Sequence, residues 1–136
     1  MRIVDLDNEY YDWKIAGHIP KKNAARGRSE YHLRARGLLK KTFPTCQILE
    51  EVSIPLRKGQ VLYLDFFLPL HNLCIEVHGE QHYKFIPFYH GSAFGFAKSK
   101  KRDEEKVEWC EKNGIEVVQL PYNEDDNEWK RRIESK

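Results

Sequence analysis

The sequence predicts an α/β domain in the order α-β-β-β-α-β-α, a mixed sheet with helices packed on it. Three observations carry that expectation. Four runs of strand length and composition stand at 46–54, 61–68, 73–77 and 115–121. Turn formers separate the first three closely enough for a meander. Helical spacing with recognisable ends marks the segments from 29 to about 42, from 97 to 114 and from 124 to the end.

In order, "HIPKKNAARGR" (18 to 28) reads as a basic arm or loop, and Ser29 then supplies an N-cap. Tyr31, Ala35, Leu38 and Thr42 or Phe43 recur at helical spacing, so this helix has a face to bury, and Pro44 stops it. "CQILEEVSI" (46 to 54) is a strand, "PLRKGQ" a turn, "VLYLDFFL" (61 to 68) the next strand, "PLHN" a second turn and "LCIEV" (73 to 77) the third strand. Lys84 to Phe96 is a loop carrying Phe85, Phe88, Tyr89, Phe94 and Phe96. A helix follows, ended by Gly114 in the C′ role, then the strand "IEVVQLP" and the short helix "EDDNEWKRRIESK". Internal repeats and low-complexity segments are absent.

A length of 136 residues with 40% apolar content supports one domain: a basic arm over 1–28, a core over 29–122 and a C-terminal helix over 123–136. No run of eighteen apolar residues occurs, and the N-terminus carries acids where a signal peptide needs bases, so a soluble cytoplasmic protein without membrane association is expected. Cys46, Cys74 and Cys110 form no CxxC pair, which points to reduced thiols and away from a structural zinc site. The net charge of +2 hides an asymmetry. Lys14 to Lys41 holds nine bases against one acid, and from Asp103 onward eleven acids face six bases. Lys21, Lys22, Arg26, Arg28, Lys98, Lys101 and Arg102 are therefore candidate phosphate contacts, weighed against the plain alternative of a solvated charged face.

Side chains alternate across a strand, so two strands can be sorted by face. Leu62, Leu64, Phe66 and Leu68 share one side, as do Leu73, Ile75 and Val77, and both sides should meet a core. Asp65, Glu76 and His78 fall opposite. A four-residue loop between Leu68 and Leu73 pairs 67 with 74, 66 with 75 and 65 with 76, so Asp65 faces Glu76. Directly opposed residues have Cβ atoms about 4.5–5.5 Å apart, and like charges there repel. A divalent cation, Mg²⁺ or Mn²⁺, would offset that repulsion on hard oxygen ligands, and so would a shared proton or Lys/Arg partners. His78 can reach the same metal or an attacking water as a general base, and His82, beyond Gly79, can serve as a second acid or a phosphate contact. Asp103 and Lys100 lie on the helical line Lys100, Asp103, Val107, Cys110 and should face the sheet. Glu30 stands in a first helical turn, where the dipole alone favours an acid as much as a catalytic role would.

With "YLDFFLPLHNLCIEVHGEQHY", the α-β-β-β-α-β order resembles the PD-(D/E)XK nuclease superfamily, whose restriction-endonuclease-like core binds Mg²⁺ through an Asp and a Glu-x-Lys element. The resemblance implies that Asp65 and Glu76 hold metal and that His78 stands at the lysine position. "VHGEQH" narrows it towards very-short-patch-repair-like and EDxHD phage homing endonucleases, matching Glu30, Asp65, His78 and Asp103 in order, with His82 near a second histidine. "RDEEKVEWCEKNGIEVVQLPY" extends the similarity, which covers about residues 29 to 122. The implied activity is Mg²⁺-dependent DNA endonuclease chemistry of homing or nicking type, with Lys100 stabilising the phosphate, the aromatic loop wedging into the duplex, and a homodimer as one route to specificity. "EVHGEQHY" and "VVQLPY" are also similar to the RAP domain of RNA-associated proteins, so RNA, or nucleic-acid binding without catalysis, is the alternative.

Overall fold

The computed structural model describes residues 1–17 and 29–135. Lys21, Lys22, Arg26 and Arg28 lie outside the described residues. Among those described, no helix is long and apolar enough to cross a membrane.

The chain begins with a hairpin that the sequence pattern does not announce, β1 (Arg2–Val4) against β2 (Tyr10–Asp12). The Asp5 side chain accepts from the backbone N–H groups of Asp7 and Glu9, bending the connection locally, and Asn8 takes a left-handed φ of 65°. The hairpin is anchored by burial of Ile3 and Trp13, and Trp13 Nε1 donates to Ser53 O at 3.1 Å. Ser29 caps α1 (Glu30–Thr42) as predicted, its hydroxyl accepting from His32 N.

β3 (Leu49–Arg57) runs three residues later than expected and passes through Pro55. Proline lacks a backbone donor, and β3 tolerates it because it is an edge strand of the sheet β3-β4-β5-β6. The turn shortens to Lys58 and Gly59, with Gly59 at φ +80°, before β4 (Gln60–Leu68). A turn over Pro69–His71, closed by Asn72 at φ 46°, leads into β5 (Leu73–His78). Its register is Phe66↔Ile75, Phe67↔Cys74 and Leu68↔Leu73, as the loop length requires.

The aromatic loop contains a single helical turn, α2 (Pro87–His90). α3 (Ala93–Lys112) begins four residues before the expected start because Ser92 caps it through Gly95 N. It crosses over to β6 (Glu116–Pro121), which pairs parallel with β5 and makes the sheet mixed. Asp125 caps α4 (Asp126–Glu134). The cysteines are free, and Cys74 and Cys110 are buried.

Two cores flank the sheet. Trp109 and Cys110 of α3 pack with Trp13, Val52, Ile54, Phe67 and Cys74 on one side. On the other, Ala35 and Leu39 of α1 and Trp129 and Ile133 of α4 pack with Phe66, Leu68, Ile75 and Val77. The expected single apolar face of β4 is split between them: Leu62 and Leu64 join the α3 core, Phe66 and Leu68 the α1 core. The neighbouring strand switches at the same level, since Glu50 bonds to α1 while Val52 belongs to the α3 core. Glu51, between them, has φ 51°, a left-handed conformation that interrupts two-residue alternation. Asp65 lies between Leu64 and Phe66, at the point of the switch.

Candidate functional site

At that switch the β4–β5 ladder ends, and two carboxyl groups take over its hydrogen bonds. Asp65 N donates to Glu76 Oε2 at 2.7 Å, and Val77 N donates to Asp65 Oδ2 at 2.8 Å. Opposed carboxylates were expected; their use as substitutes for main-chain carbonyls was not. Of the ways to offset their repulsion, the structure supplies two, a lysine and a proton held between Asp65 and Glu76. Lys106 Nζ, from α3, donates to Glu76 Oε1 at 2.9 Å. Burial by itself would lower the pKa of Lys106, but Glu76 and Asp65 outweigh it and the value is raised, so the ammonium stays charged. Asp65 retains an imbalance. Burial first, then the neighbouring Glu76, lifts its carboxyl to about 8 against the opposing pull of Lys106. One ammonium thus serves two acids.

Beside this floor stands a histidine wall. His78 ends β5 and is 6% exposed, and a tight turn over Glu80–His82, closed by His82 N donating to Gly79 O, brings His82 back over it. The two imidazoles stack with centroids 4.2 Å apart and planes within 2°. His82 Nδ1 lies 2.8 Å from Asp103 Oδ2 on α3. A carboxylate only accepts, so Nδ1 carries the hydrogen, and in the neutral ring Nε2 keeps its lone pair. Burial would raise the Asp103 pKa, yet the bond to His82 and the attraction of the two imidazoles in their protonated forms leave it lowered. Burial, reinforced by His82, pushes His78 down to about 4, so it is neutral at physiological pH.

Asp65, Lys106, His82 and Asp103 line one open cavity of about 540 Å³, together with Ser99 and the exposed Arg102. A second hollow of about 310 Å³ includes His78, Lys100 and Glu104 and shares His82 and Asp103 with the first. The structure therefore places Asp65, Glu76, His78, His82 and Asp103 in one neighbourhood.

Two expectations change. Lys100 lies on the histidine side, near the rings of Tyr83 and Phe96 at 5.7 and 5.8 Å, while the cation at the carboxylates is Lys106. Lys106 follows Asp103 by three residues and precedes Cys110 by four, and that spacing was a readable signal. Glu30 is exposed in the first turn of α1, and among the described residues no hydrogen bond or ion pair joins it to the cluster. Its neighbour Tyr31 contacts the Tyr122 ring at 6.2 Å, and Tyr122 contacts Tyr83, which in turn meets His78. Lys98 sits over Phe94 at 5.3 Å, Lys101 is exposed, and Arg102 donates to Ser99 Oγ. In the aromatic loop Phe85, His90 and Phe96 pack together, and Phe88, Tyr89, Phe94 and Phe85 itself remain exposed.

A second ionic cluster was not foreseen. Glu50, 1% exposed, accepts from Arg36 at 2.7 and 2.9 Å and lies 2.7 Å from His32 Nε2. His32 also stacks on Phe66, so this group ties α1 to the sheet.

No family model matches the chain. It is 38% identical over 61 residues to uncharacterized protein 307L of Invertebrate iridescent virus 6, covering 45% of this chain and 31% of that protein. It is 34% identical over 71 residues to uncharacterized protein 094L of Frog virus 3 (isolate Goorha), covering 52% and 46%. The chain thus spans less than half the length of these curated relatives. No solved structure matches.

Proposed function

We propose that this chain is a divalent-metal-dependent endonuclease that hydrolyses DNA phosphodiester bonds. The observation that carries the reading is the single cavity onto which Asp65, Lys106 and the His82–Asp103 pair all open. Asp65 and Glu76 fit a hard cation, because they are adjacent oxygen donors and the Asp65 carboxyl, raised to about 8, holds a proton that a divalent cation would displace. Mg²⁺ or Mn²⁺ held by this pair supplies Lewis-acid polarisation of a phosphoryl oxygen.

The remaining work falls to the chain's own groups. Asp103 fixes the His82 tautomer, and Nε2 accepts the proton of the attacking water. His78, neutral and buried, holds the plane of His82 by stacking, so the base role passes from His78 to His82. Lys106 balances charge on the carboxylate side. Lys98, Lys101 and Arg102, with Lys21, Lys22, Arg26 and Arg28 of the arm, hold the phosphate backbone without reading sequence.

One observation favours a nucleic-acid-binding module without chemistry: both carboxylates already serve as backbone acceptors. Nicking of supercoiled plasmid in Mg²⁺ or Mn²⁺, with single-stranded RNA as a parallel substrate, separates the readings. Wild type should nick the plasmid while Asp65→Ala and His82→Ala do not. Wild-type nicking no greater than that of Asp65→Ala refutes the enzyme.

A further inference from the structure

We infer that His78, His82 and Asp103 form a second metal site, chemically distinct from the oxygen pair and suited to a borderline cation of the Zn²⁺ class. Three observations support it. The donor set is two imidazoles and one carboxylate, which suits Zn²⁺ or Co²⁺, whereas Mg²⁺ prefers oxygen alone. One ligand atom from each residue lies within 4.8 Å of the others. The three come from a strand end, a tight turn and α3, so the backbone fixes their convergence.

Binding requires the rings to leave their parallel stack. Tetrahedral zinc with bonds of about 2.0–2.1 Å places its ligands about 3.4 Å apart. The His82–Asp103 contact at 2.8 Å must open slightly, and the widest gap must close. Parallel stacking aims the ring nitrogens side by side, so one imidazole must rotate; His82, its side chain 25% exposed against 6% for the His78 residue, is the one with room. Three protein ligands leave a fourth position open to the solvent-accessible hollows on either side. Lys100 and Glu104 line the same hollow, so the site's border carries one charge of each sign. His82 cannot be ligand and base together, so occupancy would idle the endonuclease; that consequence rests on the reading above, and the binding does not.

The test is a Co²⁺ titration of tag-free, chelator-stripped protein without nucleic acid, followed by visible d–d absorption. Saturable bands are expected, bleached by added Zn²⁺. His78→Ala, His82→Ala and His82→Gln, checked as folded by circular dichroism, should weaken binding at least about tenfold, a loss usual even for groups behind the ligands. Asp65→Asn should keep the bands, and so should Cys46→Ser, which removes a rival thiol 3.3 Å from His71. Absent bands, bands unchanged in folded His82→Gln, or bands lost in Asp65→Asn or Cys46→Ser overturn the site. Bands without plasmid nicking uphold it and overturn the endonuclease.

Discussion

Replacing Lys106 by Met removes the ammonium while retaining most of the side chain's volume, and the structure sets the cost. The Lys106 side chain is 19% exposed and that of Glu76 5%, so the pair at 2.9 Å is largely shielded. Coulomb attraction at that distance is about 6 kcal/mol at an effective dielectric near 20, before desolvation is deducted. Breaking a buried pair costs about 3–5 kcal/mol because the remaining charge is stranded. Here the stranded acids can bind a proton, which limits the loss, and we expect about 3 kcal/mol at pH 7 from urea unfolding.

Two further readouts belong to the same experiment. A carboxyl raised on folding gives stability that is complete below its unfolded value and is lost as the pH rises through its folded value. For Asp65 that window runs from 3.8 to about 8. Without Lys106 the folded value climbs further, so the variant should lose more at pH 8 than at pH 5. Mg²⁺ should restore the variant, by about 2.7 kcal/mol at a hundredfold excess over its dissociation constant. A Lys106→Met protein within about 0.5 kcal/mol of wild type at pH 8 refutes the claim that Lys106 neutralises the acids.

His82→Ala should lower plasmid nicking by about 10²–10⁴, the usual span for a general base, and His78→Ala by less, since it orients rather than transfers; equal losses would return the base role to His78. Zn²⁺ at the concentrations that bleach the cobalt bands should suppress nicking in Mg²⁺, and unaffected nicking would show that His82 remains available. On the opposite face, burial would raise the Glu50 pKa, but its bonds to Arg36 and His32 leave it lowered. A depressed carboxyl gives stability present above its unfolded value of 4.5 and lost as the pH falls through the folded one. Glu50→Gln should therefore cost about 3 kcal/mol at pH 7 and progressively less in acid, and a pH-independent loss in urea unfolding would contradict the ion pairing.

Where a feature depends on neighbours in sequence, the residues disclose it. Ser29 caps α1 because a hydroxyl three residues before an N–H can reach it, and the four residues between Leu68 and Leu73 set the β4–β5 register. Features decided by docking stay hidden. The strands of the N-terminal hairpin are three residues each, too short for a period, and depend on Trp13 reaching Ser53 and Trp109. Lys106 is half legible: its spacing from Asp103 and Cys110 puts it on the sheet-facing side of α3, but the rotation of α3 on the sheet determines whether it or Val107 meets Glu76.

The failure of strand alternation is of another kind, because it coincides with the site. Had β4 continued regularly past Phe66, the amides of Asp65 and Val77 would have bonded to main-chain carbonyls, leaving the carboxylates turned to solvent with ordinary acidities. The left-handed residue Glu51 and the change of face at Asp65 end that ladder. Freed from main-chain acceptors, the two amides bind carboxylates instead, which draws both acids into the fold and places the Asp65 carboxyl on the cavity that Lys106 and His82 share. A binary pattern reads this position as an interrupted strand. Physically, the interruption brings two acids into one buried, proton-sharing pair, the feature that the proposed metal binding would use, in keeping with the tendency of local rules to fail at functional sites.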